Sequence, residues 1–154
     1  MNIRECSQQD LDIVTNYTLS LHQHENEKGI QAHPNLKTNI RKWLQSEIDS
    51  TNSLILIAET DGNPIGFVCA TTTINDNGFI AQPLKGIIQL LWVEEPNRQK
   101  KVAEKLIATI ELCLQEAGVS YVECTYVDGN LSAKHFWRNQ GYQVTSLTCR
   151  KFLT

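Results

Sequence analysis

Residues 86–127 constrain this fold more than any other stretch. Gly86–Val93 is an apolar run of strand length. In Val102–Ala117, residues Val102, Leu106, Ile107, Ile110, Cys113, Leu114 and Ala117 recur with the 3.6-residue period of a helix. Gly118 then supplies a C-terminal stop. Tyr121–Val127 reads as a second strand, with Val122, Cys124 and Tyr126 on one side. Together they predict a right-handed strand–helix–strand unit.

The rest of the chain supplies elements to surround it. Asn2–Glu5 reads as a short first strand, and Ser7-Gln-Gln-Asp10 has the residue types of a helix start. Leu11, Val14, Thr18 and Leu21 follow at helical spacing. Glu25–Asn35 is polar, contains Gly29 and Pro34, and reads as a loop. A second helix carries Leu36, Ile40, Trp43, Leu44 and Ile48 on one face. Leu54–Ala58 is continuously apolar, as expected of a strand covered on both faces. Asp61-Gly-Asn-Pro64 is a turn, and Ile65–Thr73 is the return strand of a hairpin. Ile74–Lys85 is irregular. Ser132–Gln140 is a short helix ended by Gly141, and Tyr142–Phe152 is a closing strand. The predicted order is β-α-α-β-β-β-α-β-α-β, an α/β (mixed α+β) domain spanning residues 1–154 on one mixed sheet.

Composition excludes several classes. The 154 residues are 41% hydrophobic and 20% charged, ordinary for a globular domain and unlike a disordered chain. A net charge of −3 and a pI near 5.8 argue against nucleic acid as a partner. The longest apolar runs are too short to span a bilayer. Residues 1–10 hold no apolar signal core, which predicts a protein that is not secreted. The five cysteines, Cys6, Cys69, Cys113, Cys124 and Cys149, are odd in number and scattered, without Cys-x-x-Cys. They read as reduced thiols of a cytoplasmic protein. His22 and His24 are two apart and do not share a helix face, so no metal site is expected.

Two segments carry chemistry. Between Val93 and Val102 the chain reads Glu-Glu-Pro-Asn-Arg-Gln-Lys-Lys. A helix N-terminus offers free N–H groups and a partial positive charge, where phosphates bind. Arg98, Lys100, Lys101 and Lys105 crowd this one, against the helix dipole. Either an anion sits there, or Glu94, Glu95 and Glu104 offset the cations in a solvated loop. The second segment, Asn130–Tyr142, is an amphipathic helix with a glycine stop.

Together these segments resemble the GNAT acetyltransferase superfamily, and the resemblance covers nearly the whole chain. The phosphate-loop pattern Gln/Arg-x-x-Gly-x-Gly/Ala is met by Arg98-Gln-Lys-Lys-Val-Ala103. The later pattern Asn-x-x-Ala-x-x-Phe-Tyr, then Gly-Phe, is met by Asn130, Ala133, Phe136, Trp137, Gly141 and Tyr142. The resemblance implies a GNAT-like fold, a central, mostly antiparallel mixed sheet flanked by helices. It also implies transfer of an acetyl group from acetyl-CoA to a primary amine of a small molecule or protein. It places the CoA pyrophosphate on backbone N–H groups of Arg98, Gln99, Lys100, Lys101, Val102 and Ala103, with Glu104 in the same turn. Leu91, Trp92 and Val93 splay from the next strand and bind the pantetheine arm. Asn130, Ala133, Phe136 and Trp137 line the cofactor groove.

Two residues depart from the family's pattern. Lys101 stands where the family has glycine, whose missing Cβ lets the backbone approach phosphate. Trp137 stands where many members place a tyrosine that protonates the departing thiolate, and indole N–H is a poor acid. Tyr142 and Tyr126 are the replacement candidates. Glu94 is a candidate base for an amine that attacks the thioester directly, with N–H groups near Trp92 and Val93 stabilising the oxyanion. Its alternative role is to offset Lys100 and Lys101. His22 and Glu25 end the first helix, a region that borders the acceptor site in the family. A homodimer is implied too, with the C-terminal strand as a route. The alternatives are a catalytically weak or inactive member that senses acyl-CoA, and a scaffold acting through partner contacts.

Overall fold

The structure, a computed structural model, describes residues 1–153. Its strands are β1 (Asn2–Glu5), β2 (Ser53–Thr60), β3 (Asn63–Ile74), β4 (Leu84–Val93) and β5 (Tyr121–Cys124). They form one sheet in that order. Pairing is antiparallel from β1 to β4, and β5 joins β4 in parallel. The helices are α1 (Leu11–His24), α2 (Leu36–Ile48), α3 (Val102–Glu116) and α4 (Leu131–Asn139). This is the expected mostly antiparallel mixed sheet flanked by helices.

Strand alternation divides the core into two layers. Ile55 and Ile57 of β2 and Phe67 and Cys69 of β3 pack with Leu11, Val14, Tyr17 and Leu44 of α1 and α2. Their neighbours Leu56, Ala58, Val68 and Ala70 pack on the opposite face with Leu106, Ile107 and Ile110 of α3 and Trp137 of α4. Because helices cover both faces, β2 and β3 read as continuous apolar runs. At the start of α1, Asp10 accepts two hydrogen bonds from Arg4 at 2.9 Å and one from the Ser7 N–H at 2.8 Å. Arg4 thereby holds the Asp10 carboxyl below its ordinary range.

Several expectations need correction. Pro64 lies within β3, opposite Glu59, where a register shift accommodates it. Cys113 and Cys124 are half-buried, and Cys69 is the fully enclosed thiol. Burial pushes the Cys69 and Cys124 thiols up to about 12, so neither is a ready nucleophile. The strand predicted over Tyr121–Val127 stops at Cys124, where pairing with β4 ends. The closing strand predicted over Tyr142–Phe152 does not form. A strand needs a neighbour to share its main-chain hydrogen bonds, and among the described residues the segment pairs with none.

Candidate active site

The site is built where β4 outruns β5. The parallel pairing covers only Lys85–Ile88 against Tyr121–Cys124. One residue further, at Gln89, β4 bulges against β3. Such a bulge re-aims the residues that follow it. From there to Val93, β4 has β3 on one side and no strand on the other. The Glu94 N–H binds the Ile65 carbonyl on β3 at 2.9 Å. By strand alternation, the main-chain groups of Leu91 and Val93 face the open side. β3 lies close behind: a Cβ at Gly66 would meet the Trp92 carbonyl at 2.7 Å.

The chain then makes a short 3-10 turn, Glu95–Asn97, and enters α3. The N–H of Arg98 donates to the Glu95 carbonyl at 3.2 Å, so it is not a free phosphate donor as the resemblance implied. Arg98 instead straps the strand end. Its Nε donates to the Val93 carbonyl at 3.0 Å, and its guanidinium lies 4.7 Å from the Trp92 ring centre. Among the described residues, the N–H groups of Gln99, Lys100, Lys101, Val102, Ala103 and Glu104 have no main-chain acceptor. No side chain caps the helix either. Gln99 and Lys101 adopt left-handed backbone, with φ of 62° and 61°. Left-handed residues in such a turn are the backbone pattern of an anion nest, in which successive N–H groups face one concavity. Lys101 thus keeps the conformation the family assigns to glycine, and its side chain is exposed. Val102 is buried beneath the loop and anchors it to the sheet.

A left-handed non-glycine residue is strained by about 1–2 kcal/mol. We therefore expect Lys101→Gly to stabilise the fold by about 0.5–1 kcal/mol, after the entropy glycine adds to the unfolded chain. The urea unfolding midpoint reads this directly. An unchanged or lower midpoint would show that Lys101 is held without strain.

α1 brings Tyr17 to Glu94 at the end of β4 and carries Glu25 at its own end. Tyr17 is buried and stacked on Phe67, with ring centres 5.7 Å apart. Its hydroxyl lies 2.9 Å from Glu94 Oε1 and 3.1 Å from the Pro64 carbonyl. Burial, then the Glu94 carboxylate, push the Tyr17 phenol well above its ordinary range, so it stays a protonated donor. About two turns further along α1, His24 meets the Trp92 ring edge-on at 6.1 Å. Glu25 follows, and Asn130 Nδ2 donates to its Oε1 at 3.0 Å. Asn130 also caps α4 by accepting the Ala133 N–H at 3.1 Å. Burial raises the Glu25 carboxyl above its ordinary range, against the pull of Asn130 and His24. His24, Glu25, Asn26, Val127, Gly129 and Asn130 line an open cleft of about 310 Å³.

The aromatic candidates separate. Trp137 is buried, edge-on to Phe136 at 5.1 Å and to Tyr142 at 5.0 Å. The Tyr142 hydroxyl donates to Glu111 at 2.6 Å. Glu111 lies about 13 Å along α3 from Val102, at ~1.5 Å per residue. Tyr142 therefore ties its segment to α3, with its hydroxyl proton committed to Glu111. Tyr126, half-buried beside Val127, makes no hydrogen bond among the described residues. Sequence reasoning missed Tyr17 altogether, since nothing local distinguishes it from a core residue. Among the described residues no group of three or more metal-ligating side chains occurs, and no helix is long and apolar enough to cross a membrane.

A strand end open on one side, followed by a nest of free N–H groups at a helix start, suits a long ligand ending in phosphates. The family model described as the acetyltransferase (GNAT) family matches residues 17–142. The chain belongs to the GNAT acetyltransferase family. Acetyl-CoA is accordingly its co-substrate, and the nest at α3 fits the pyrophosphate. Among solved structures, the chain is similar to a mutant of the BH1408 protein from Bacillus halodurans. The TM-score is 0.89 at 21% identity, with both chains fully covered. It is also similar to the aminoglycoside antibiotic 6'-N-acetyltransferase AAC(6')-IG from Acinetobacter haemolyticus. There the TM-score is 0.80 at 16% identity, covering 100% of this chain and 99% of that one. A predicted acetyltransferase from Clostridium acetobutylicum, solved with acetyl-CoA, gives a TM-score of 0.81 at 13% identity, covering 98% and 95%. At these identities the likeness is one of fold. No curated protein sequence matches significantly.

Proposed function

We propose that this chain, a single domain over residues 1–154, transfers the acetyl group of acetyl-CoA to a primary amine of a small cationic molecule. The observation that carries this reading is the convergence of the open β4 edge, the nest at α3 and two carboxylates, Glu94 and Glu25. Bound acetyl-CoA supplies a thioester carbonyl that an amine attacks directly. The open-side N–H groups of Leu91 and Val93 are suited to bind the pantetheine amides and the developing oxyanion. Gln99 to Glu104 hold the pyrophosphate. Glu94 accepts the proton that the amine must lose, while Tyr17 fixes the orientation of its carboxylate. Glu25, partly desolvated beside a cavity of small-molecule size, favours a cationic neighbour that offsets its burial. The solved aminoglycoside acetyltransferases of this fold act on such amines, which supports the choice of class. Tyr126 is the remaining hydroxyl for the thiolate, and a thiolate also leaves moderately well without an acid.

The reading extends to a cytoplasmic location, supported by five free cysteines, and to a homodimer, supported by apolar side chains exposed along residues 144–153. One observation favours the second reading, an acyl-CoA sensor without turnover. Trp137 carries no hydroxyl, and Tyr142 spends its own on Glu111.

The test is release of free CoA thiol across a panel of polyamines and amino sugars. Glu94→Gln is expected to lower kcat/KM about a hundredfold, the lower range for a general base. Acetyl-CoA affinity should stay unchanged in the same variant. Micromolar acetyl-CoA binding without turnover of any amine would leave the sensor reading in its place.

A further inference from the structure

We infer that Glu25, held by Asn130, binds the spectator ammonium of a flexible diamine whose other amino group is acetylated at the end of β4. This rests on the acetyl transfer proposed above and narrows its substrate class to molecules with two amino groups set several bonds apart.

Glu25 is a carboxylate without a counter-ion. It follows the last residue of α1, and its N–H binds the Leu21 carbonyl at 2.9 Å, so it sits at the negative end of the helix dipole. It is also half-buried, which disfavours its charge, and His24 offsets this only in part. Among the described residues it forms no ion pair. Its side-chain hydrogen bond comes from the neutral Asn130 amide. Two residues further on, Glu27 has what Glu25 lacks, an arginine, Arg150, at 2.9 Å. Arg98 is turned to the Val93 carbonyl and the Trp92 ring. A partly desolvated anion that lines a cleft, with no cation of its own chain, favours a cation brought by a ligand.

Asn130 fixes where that cation sits. Its Oδ1 accepts the Ala133 N–H at 3.1 Å, which settles the sense of the amide. Its Nδ2 therefore faces Glu25 and donates to Oε1 at 3.0 Å. Glu25 Oε2 makes no hydrogen bond among the described residues and is the oxygen left for an ammonium. The cleft is lined besides by Val127 and Gly129, one apolar side chain and one bare main chain, which suits a run of methylenes.

The separation from the reacting centre sets the length of the substrate. His24 meets the ring of Trp92, which lies between Leu91 and Val93 on the open strand end. Tyr17, which binds Glu94, precedes Glu25 by about 12 Å along α1, at ~1.5 Å per residue. A diamine that gives its proton to Glu94 and rests its other ammonium on Glu25 needs a chain of several methylenes. At the reacting end its nitrogen bonds the acetyl carbon, the carbon–sulfur bond breaks, and the electron pair leaves on the CoA sulfur. At Glu25 the ammonium keeps its protons and undergoes no covalent change.

Release of CoA thiol from acetyl-CoA, measured with diaminohexane against hexylamine and with diaminoethane against ethylamine, tests this. In the longer pair the diamine should have the higher kcat/KM by about tenfold or more, as for a hydrogen bond to a charged group. The shorter pair should show no such preference, because diaminoethane cannot reach both carboxylates. Glu25→Gln keeps an oxygen for Asn130 and removes only the charge, and it should abolish most of the preference in the longer pair. Equal rates for diaminohexane and hexylamine, or a preference that survives Glu25→Gln, would overturn the spectator site and leave acetyl transfer standing. If no amine is acetylated, calorimetric titration of the CoA-loaded protein with diaminohexane decides. Binding that Glu25→Gln weakens about tenfold would support the site while acetyl transfer fails. Binding that is absent or indifferent to Glu25→Gln would overturn the site as well.

Discussion

With glutamate in place of Ala103, the protein is expected to bind acetyl-CoA at least a hundredfold more weakly while its melting temperature holds or rises slightly. Ala103 is half-buried in the first turn of α3, and its N–H belongs to the free row from Gln99 to Glu104. A carboxylate there meets the pyrophosphate at close range. At ~4 Å and an effective dielectric near ~20, one pair of like charges costs about 4 kcal/mol. A hundredfold loss, about 2.8 kcal/mol, is a conservative fraction of that. The same carboxylate favours the helix dipole, so the fold itself gains by a few tenths of a kcal/mol. Isothermal titration with acetyl-CoA, beside a thermal melt, separates the two effects. Unchanged affinity in a folded variant would move the cofactor away from α3.

Phe67→Ala is expected to cost about 3–5 kcal/mol, a large share of the 5–15 kcal/mol typical of a domain. Phe67 is completely buried in the middle of β3, with Tyr17 stacked on its ring. Truncation opens a cavity under α1 and α2. For a chain of this length the melting temperature should fall by about 10 °C. Activity should fall further than stability alone explains, because the ring supports Tyr17, and Tyr17 orients Glu94. Chemical unfolding and kcat measured well below the melting temperature check the two parts. A loss of stability with kcat unchanged would show that Tyr17 holds its place without Phe67.

The two variants probe opposite sides of the β4 end. From one side, α3 presents main-chain donors to phosphate. On the other, Glu94 at the strand end and Glu25 at the end of α1 are the carboxylates proposed to face an amine. The open strand between them is where a thioester would lie within reach of both. Arg98 fastens the loop to the strand end through the Val93 carbonyl and the Trp92 ring.

Much of this was legible in the order of residues. Continuous apolar runs located β2 and β4, the turn at Asp61–Pro64 located β3, and the 3.6-residue period located α1 to α3, because burial against a helix or sheet leaves its mark in the chain. The two spaced patterns around Arg98–Ala103 and Asn130–Tyr142 pointed to the family, and its model matches residues 17–142. Lys101 breaks the pattern in the sequence, yet the structure keeps the left-handed turn with its side chain outward.

Tertiary structure alone decided the rest. Tyr17 and Glu94 are 77 residues apart and Glu25 and Asn130 are 105 apart. Such contacts depend on how α1 and α4 pack over the strands, which no local pattern encodes. The end of the β4–β5 pairing beside the Gln89 bulge, and the bond from the Tyr142 hydroxyl to Glu111 of another helix, are likewise visible only in the folded chain. Residues 142–152 show the division most directly. Their composition predicted a strand, because composition belongs to the segment itself, and no strand forms there. A strand also needs a neighbour's hydrogen bonds, and only the tertiary structure could show that the single chain offers none.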